Sequence, residues 1–292
     1  MSDLFGIAVP SSTPDYIALR DDPSHVALKN LAQDLWHSFE AFADPEFRNQ
    51  FALQIHPRFW EMYLGAWLVR AGFALLPRTS SAGPDFHLRR EGRDIWIEAA
   101  APDEGQGPDA VPSILEDRPN AAVPEDQIIL RFTNAISLKK ARRDAYVAAG
   151  MVADQDPFVI AINGRGIPMT LFEGPLPAII RAVYPFGQYE VTIRVPSGET
   201  VREGYHRRTE IAKKSGSPVP TIAFIDPANS GLSGVLYSSA ALWDYPRSPG
   251  SEFLYIHNSL AANPLRRGYF PSGKEWFLEG DALLMADHNA GA

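Results

Sequence analysis

The chain of 292 residues is long enough to bury a substantial core, as one large domain or two small ones. Its 45% hydrophobic content is ordinary for a folded protein, and its formal net charge of −8 argues against a surface that wraps nucleic acid by bulk electrostatics. With no cysteine, disulfides, thiolate metal sites and cysteine nucleophiles are excluded together, which fits a cytoplasmic protein.

The opening stretch MSDLFGIAVPSSTPDY has no basic segment followed by a long apolar run, so no secretory leader is expected. No apolar run reaches the ~18–20 residues of a membrane span, so no membrane association is expected. From His25 to Asp44, Val26, Leu28, Leu31, Leu35, Phe39 and Phe42 recur at three- and four-residue spacings and predict an amphipathic helix. A shorter helical piece, PEFRNQFALQI, ends near His56-Pro57. Pro57 then suits the first turn of a third helix, RFWEMYLGAWLVRAG, which is apolar nearly all round and therefore buried. Its charged exceptions are Arg58, Glu61 and Arg70, and Gly72 stops it.

Three short strands are predicted next: FALLP (73–77), PDFHL (84–88) and DIWIEAA (94–100). Alternation puts Asp85 and His87 on one face opposite Phe86 and Leu88. It likewise sets Asp94, Trp96, Glu98 and Ala100 against Ile95, Ile97 and Ala99. A long acidic, proline-rich loop covers 102–126, and a helix carrying Lys139, Lys140, Arg142 and Arg143 runs from about Ile128 to Ala149. PFVIAIN (157–163) reads as a buried strand. Beyond it, YEVTIRV, PTIAFID, SGVLYSS and EFLYIHN are the clearest strand-like runs, and the final ADHNAGA is expected to fray. The organisation expected is an N-terminal helical region (1–55), an α/β core (56–163) and a mixed, strand-rich extension packed on it (164–292).

Chemistry concentrates in one constellation. Mg²⁺ takes oxygen ligands and needs only one or two protein carboxylates, and two acids on neighbouring strands could supply them. Gly83-Pro84-Asp85 followed by Ile97-Glu98-Ala99-Ala100 has that form. The segment resembles the active site of the PD-(D/E)XK nuclease superfamily, whose core runs helix, three strands, helix, strand. That is the order read from residue 56 to 163.

The resemblance implies an αβββαβ nuclease-like core and metal-dependent hydrolysis of phosphodiester bonds in DNA or RNA. Asp85 and Glu98 would hold Mg²⁺ or Mn²⁺, with the main-chain carbonyl of Ala99. Glu61 stands for the extra acid that many members carry on the preceding helix. The family's lysine, two residues after the second acid, is replaced by Ala100. Lys139 on the following helix is the chosen substitute, with Gln127 a weaker one. Lys140, Arg207 and Arg208 are the candidate nucleic-acid contacts, with Tyr205 able to stack on a base, and a homodimer is the expected assembly.

The alternative from the same residues is a nuclease-fold protein that lost its chemistry and only binds or scaffolds. A third reading is an unrelated α/β protein with structural acids. In it Asp85 is a turn residue, Glu98 pairs with Arg58, Arg70 or Arg93, and Glu61 pairs with Arg58 along the helix. His87 is a lesser metal candidate. Walker, dinucleotide GxGxxG and HExxH motifs are absent, and SGLSG around Ser233 is not a hydrolase elbow.

Overall fold

The computed structural model describes residues 2–7, 12–78, 82–90, 92–113, 123–172 and 174–289. Helix α1 (Pro14–Asp21) starts at Thr13, whose hydroxyl accepts from the Tyr16 N–H, with Pro14 in the first turn. Helix α2 (Val26–Phe39) and helix α3 (Phe47–Leu53) follow. Helix α4 (Ile55–Arg70) begins two residues before the proline at which the sequence suggested its start. Pro57 falls within the first turn, where backbone N–H groups have no intrahelical acceptor, so it does not break the helix. As its all-round apolar pattern requires, α4 is buried without a break from Phe59 to Leu68. The Trp60 indole N–H fixes it to the sheet by donating to the Ala161 carbonyl at 3.0 Å.

The sheet contains strands β1 (Leu75–Leu76), β2 (Phe86–Arg90), β3 (Arg93–Ala100) and β4 (Phe158–Asn163). Helix α5 (Glu125–Ala148) is the crossover between β3 and β4, which pair in parallel as such a connection demands. After the short helix α6 (Ala178–Arg181) come the hairpin β5 (Phe186–Arg194) and β6 (Glu199–Arg207), and the small pair β7 (Glu210–Ala212) and β8 (Pro218–Pro220). The large sheet then resumes with β9 (Gly234–Ser238), β10 (Leu254–His257), β11 (Lys274–Glu279) and β12 (Ala282–Asp287). Its order is β1-β2-β3-β4-β9-β10-β11-β12, and β9 pairs in parallel with β4.

Period-two alternation splits the core between the two faces of this sheet. Ile95, Ile97, Val159, Ala161 and Leu236 pack with α1 to α4. Phe158, Ile160, Ile162, Val235 and Tyr237 pack with α5 and α6. The molecule is thus α/β, with helices on both faces of a mixed sheet.

Three local expectations change. PTIAFID is not a strand: β8 ends at Pro220 and a 3₁₀ turn occupies Ala223–Ile225. The run is bracketed by Pro220 and Pro227, and Asp226 accepts from the Ala228 N–H to cap a second tight turn, so the backbone curls. FALLP contributes only two paired residues. The expected fray does not begin at Ala286, because Asn289 donates to the Ser251 carbonyl and accepts from the Gly273 N–H.

Candidate active site

Four elements deliver charged side chains to the region where β2 begins beside β3. Gly83 adopts φ 92°, a left-handed conformation glycine takes without penalty, and it turns the chain into Pro84-Asp85. In the β2–β3 register Phe86 faces Ile97, so Asp85, one residue earlier, stands across from Glu98. Asp85 Oδ2 accepts the Ala99 N–H at 2.7 Å, and Oδ1 lies 3.2 Å from the Arg78 guanidinium.

Glu98 shares the α5 face of β3 with Trp96 and Ala100 and is only 1% exposed. A carboxylate so deeply placed must be compensated, and α5 does it. Lys139 Nζ donates to Glu98 Oε1 at 2.7 Å and Arg142 Nη1 to the same atom at 3.1 Å, while the Tyr146 hydroxyl donates to Oε2 at 3.5 Å. These three positions follow i, i+3, i+7, one stripe of a helix. Arg58, Arg70 and Arg93, the partners suggested by sequence, are therefore not the ones used. Arg58 and Arg70 lie on α4, across the sheet from α5, where Arg58 pairs with Glu61 and Arg70 with Asp34.

Glu61 reaches the cluster from α4. Its Oε2 accepts from Arg58 at 2.6 Å, the helical pair foreseen from spacing. Its Oε1 is buried without a hydrogen bond, and Arg78 stands 3.5 Å away. Asp44 completes the group, 3.3 Å from Arg58 and 3.9 Å from Arg78. Arg78 thus bridges Asp44, Glu61 and Asp85.

Crowding shows in the proton affinities. Burial first, then the Asp85 carboxylate, push Glu61 up to about 8 against the pull of Arg58 and Arg78. Burial and then Glu98 push Asp85 up to about 6, opposed by Lys139, the Ala99 N–H and Arg78. Burial and then Glu98 push Tyr146 up to about 12, so it stays a phenol. Unfolded carboxyls release these protons near 4.5 and 3.8, earlier than the folded ones. The folded state therefore binds more protons between about pH 4 and 8, and stability falls as pH rises through that window. Glu61→Gln removes the larger contribution. Thermal melts from pH 5 to 8 should decline less steeply than in the wild type, and an unchanged slope would show that Glu61 is not strained.

Other sequence candidates go elsewhere. His87 stacks on Trp96 with ring centroids 3.8 Å apart and bonds Asp94 at 2.7 Å. Lys140 pairs with Asp144 at 2.6 Å. Arg208 pairs with Asp126 at the N-terminal end of α5, thirteen residues from Lys139 and so roughly 20 Å along the helix. Gln127 stays at that same end. Arg207 is exposed at the foot of the β5–β6 hairpin. Sequence reading missed Asp44, Arg78, Arg142 and Tyr146. Only Arg142 and Tyr146 had a signal, their helical phase with Lys139.

Among the described residues, no group of three or more His, Asp or Glu side chains stands close enough to hold a metal ion. The donor chemistry nonetheless suits a hard divalent cation that keeps most of its waters. Asp85 and Glu98 present carboxylates across one register step, and Glu61 Oε1 has an unused lone pair nearby. Arg78 is the positive charge such an ion would have to displace from Asp85.

Comparison with protein-family models, with curated proteins and with solved structures finds no match for this chain.

Proposed function

We propose that this chain is a divergent PD-(D/E)XK-type nuclease, its αβββαβ core formed by α4, β1–β3, α5 and β4, hydrolysing phosphodiester bonds of nucleic acid with Mg²⁺ or Mn²⁺. The observation that carries this reading is the ammonium of Lys139, 2.7 Å from Glu98 although Ala100 occupies the usual lysine position. A positive group beside the acid pair is what the chemistry needs, and α5 supplies it in place of β3.

Asp85 and Glu98 would hold the ion with the Ala99 carbonyl, and the bound ion would neutralise the phosphate and lower the pKa of its water. Lys139 would then orient the attacking water and stabilise charge on the phosphate. Arg142, whose side chain is 61% exposed, has donors left for a phosphate oxygen while one N–H holds Glu98. Tyr146 remains protonated and fixes the second Glu98 oxygen.

Lys139→Ala provides the test. Cleavage of DNA and RNA substrates with Mn²⁺ is expected to fall about 100-fold, a typical general acid–base or electrostatic contribution. Mn²⁺ affinity, read by calorimetry, should hold or improve. Full activity in the variant would remove Lys139 from the chemistry.

A second reading, a nuclease-fold protein that binds without cutting, is favoured by Arg78. Four acids (Asp44, Glu61, Asp85, Glu98) face four bases (Arg58, Arg78, Lys139, Arg142), so the formal charges of the cluster balance without any ion. The two readings part on whether Mn²⁺ binds the wild type.

A further inference from the structure

We infer that the cavity between the foot of the β5–β6 hairpin and the β11–β12 turn is a binding site for a free aromatic amino acid, held by both of its charges. The inference is independent of the reaction at Asp85 and Glu98. Arg208, next to the cavity in sequence, is tied to Asp126 at the N-terminal end of α5, roughly 20 Å along that helix from Lys139.

The cavity encloses about 580 Å³, within the range of about 300–1,000 Å³ usual for small-molecule sites. Alternation in β6 puts Tyr205 and Arg207 on one face of the hairpin, and the register sets Phe186 across from Arg207. The Phe186 and Tyr205 rings meet edge to face, with centroids 6.3 Å apart. Pro185, Ile225 and Leu278 line the cavity with them, and such a wall accepts a flat apolar ring. The β11–β12 turn adds an acid. Glu279 pairs with Ala282, which leaves Gly280 and Asp281 as a two-residue turn. Gly280 takes φ 60°, the positive value that the first central residue of such a turn requires. Asp281 thereby joins Arg207 in lining the cavity.

These two charges select the ligand. Arg194 and Arg208, the neighbouring bases, are paired with Glu199 and Asp126. Among the described residues, by contrast, neither Arg207 nor Asp281 makes an ion pair, with the other or with any third group. A ligand that satisfies both carries an anion and a cation on one apolar body. The α-carboxylate of an amino acid fits the guanidinium fork, and its α-ammonium fits the carboxylate. Its ring then packs on Tyr205 and Phe186. Ser259 adds an acceptor, because its hydroxyl donates to the Phe224 carbonyl at 2.6 Å and keeps its lone pairs. A phosphate, which Arg207 alone would suit, brings only negative charge toward Asp281. A peptide terminus carries one of the two charges without the other, so the amino acid is a free one.

Calorimetry on the full chain tests this, with L-phenylalanine, phenylethylamine, phenylpropionate and adenosine monophosphate as probes. L-Phenylalanine is expected to bind the wild type with a Kd between about 1 μM and 1 mM. Removing either charge of the ligand should weaken binding at least ~10-fold, the weight of a hydrogen bond to a charged group. Asp281→Asn should weaken L-phenylalanine to the same extent but not phenylpropionate, which lacks the ammonium that Asp281 holds. Arg207→Gln should likewise spare phenylethylamine, which lacks the carboxylate. Both residues are exposed, so thermal melts of the variants should match the wild type. No binding of L-phenylalanine by the wild type overturns the inference, as does unchanged affinity for it in either variant. Tighter binding of adenosine monophosphate than of L-phenylalanine overturns it in favour of a nucleotide.

Discussion

Glu98→Gln is expected to abolish measurable Mn²⁺ binding and to lower cleavage at least ~100-fold, while leaving a cooperative thermal transition. The substitution keeps volume and shape but removes the charge that a hard cation requires. It leaves the 13%-exposed Lys139 without its ionised acceptor, though Arg142 beside it is largely solvated. Removing one partner of a fully buried pair costs about 3–5 kcal/mol. Here the amide oxygen still accepts a hydrogen bond and both cations reach solvent, so the loss should stay below that range. Calorimetry with Mn²⁺, a cleavage assay and a melt decide the matter together. Retained metal affinity in a folded variant would assign Glu98 a purely structural role, as the acceptor that anchors α5 to β3.

Arg78→Met should do the reverse to binding. Arg78 is 9% exposed and lies against Asp85, Glu61 and Asp44, which are 19%, 5% and 4% exposed. Without it Asp44 and Glu61 keep Arg58 and Asp85 keeps Lys139 on its other side, and the metal-free protein should lose about 3–5 kcal/mol. Mn²⁺ should then bind at least tenfold more tightly than in the wild type, a difference of about 1.4 kcal/mol. Saturating Mn²⁺ at 100 times Kd would return about 2.7 kcal/mol of stability. The check is the melting temperature of wild type and variant with and without Mn²⁺. If metal raises the variant's melting temperature but not the wild type's, the guanidinium holds the ion's place and the non-cutting reading gains. If metal raises neither, the acids form a salt-bridge network and the metal-dependent reading fails.

Much of the scaffold was legible because its signals are local. The apolar circumference of α4 announced burial, and alternation in PDFHL and DIWIEAA set Asp85 and Glu98 each opposite the aliphatic residues of its own strand, a placement the register turns into one shared face. Lys139 was chosen among four neighbouring bases on α5, and the contact with Glu98 bears on that choice. Its neighbour Arg142 could have been chosen with it, since the two are three residues apart. Arg78 and Asp44 could not be found this way. They lie seven and forty-one residues before Asp85, Arg78 in a connection and Asp44 at the very end of the predicted His25–Asp44 helix, beyond the Phe39 at which the helix stops, and only tertiary packing brings them to it. The β11–β12 hairpin was also passed over, although Glu279-Gly280-Asp281 is a turn sequence between two apolar runs, because KEWFLE and ALLMAD alternate poorly.

The parallel pairing of β4 with β9 constrains the history of the chain. All six residues of β4 are buried, with β3 on one edge and β9 on the other. Everything after residue 163 therefore cannot be exchanged as a detachable cassette, in the way a recognition module is swapped between enzymes. A recombinant would have to supply a replacement strand in the register that sets Val159 opposite Gly234, or leave open the edge of a strand that is otherwise wholly buried. The two halves of this sequence share one sheet, and a change at the β4–β9 seam is felt on both sides of it.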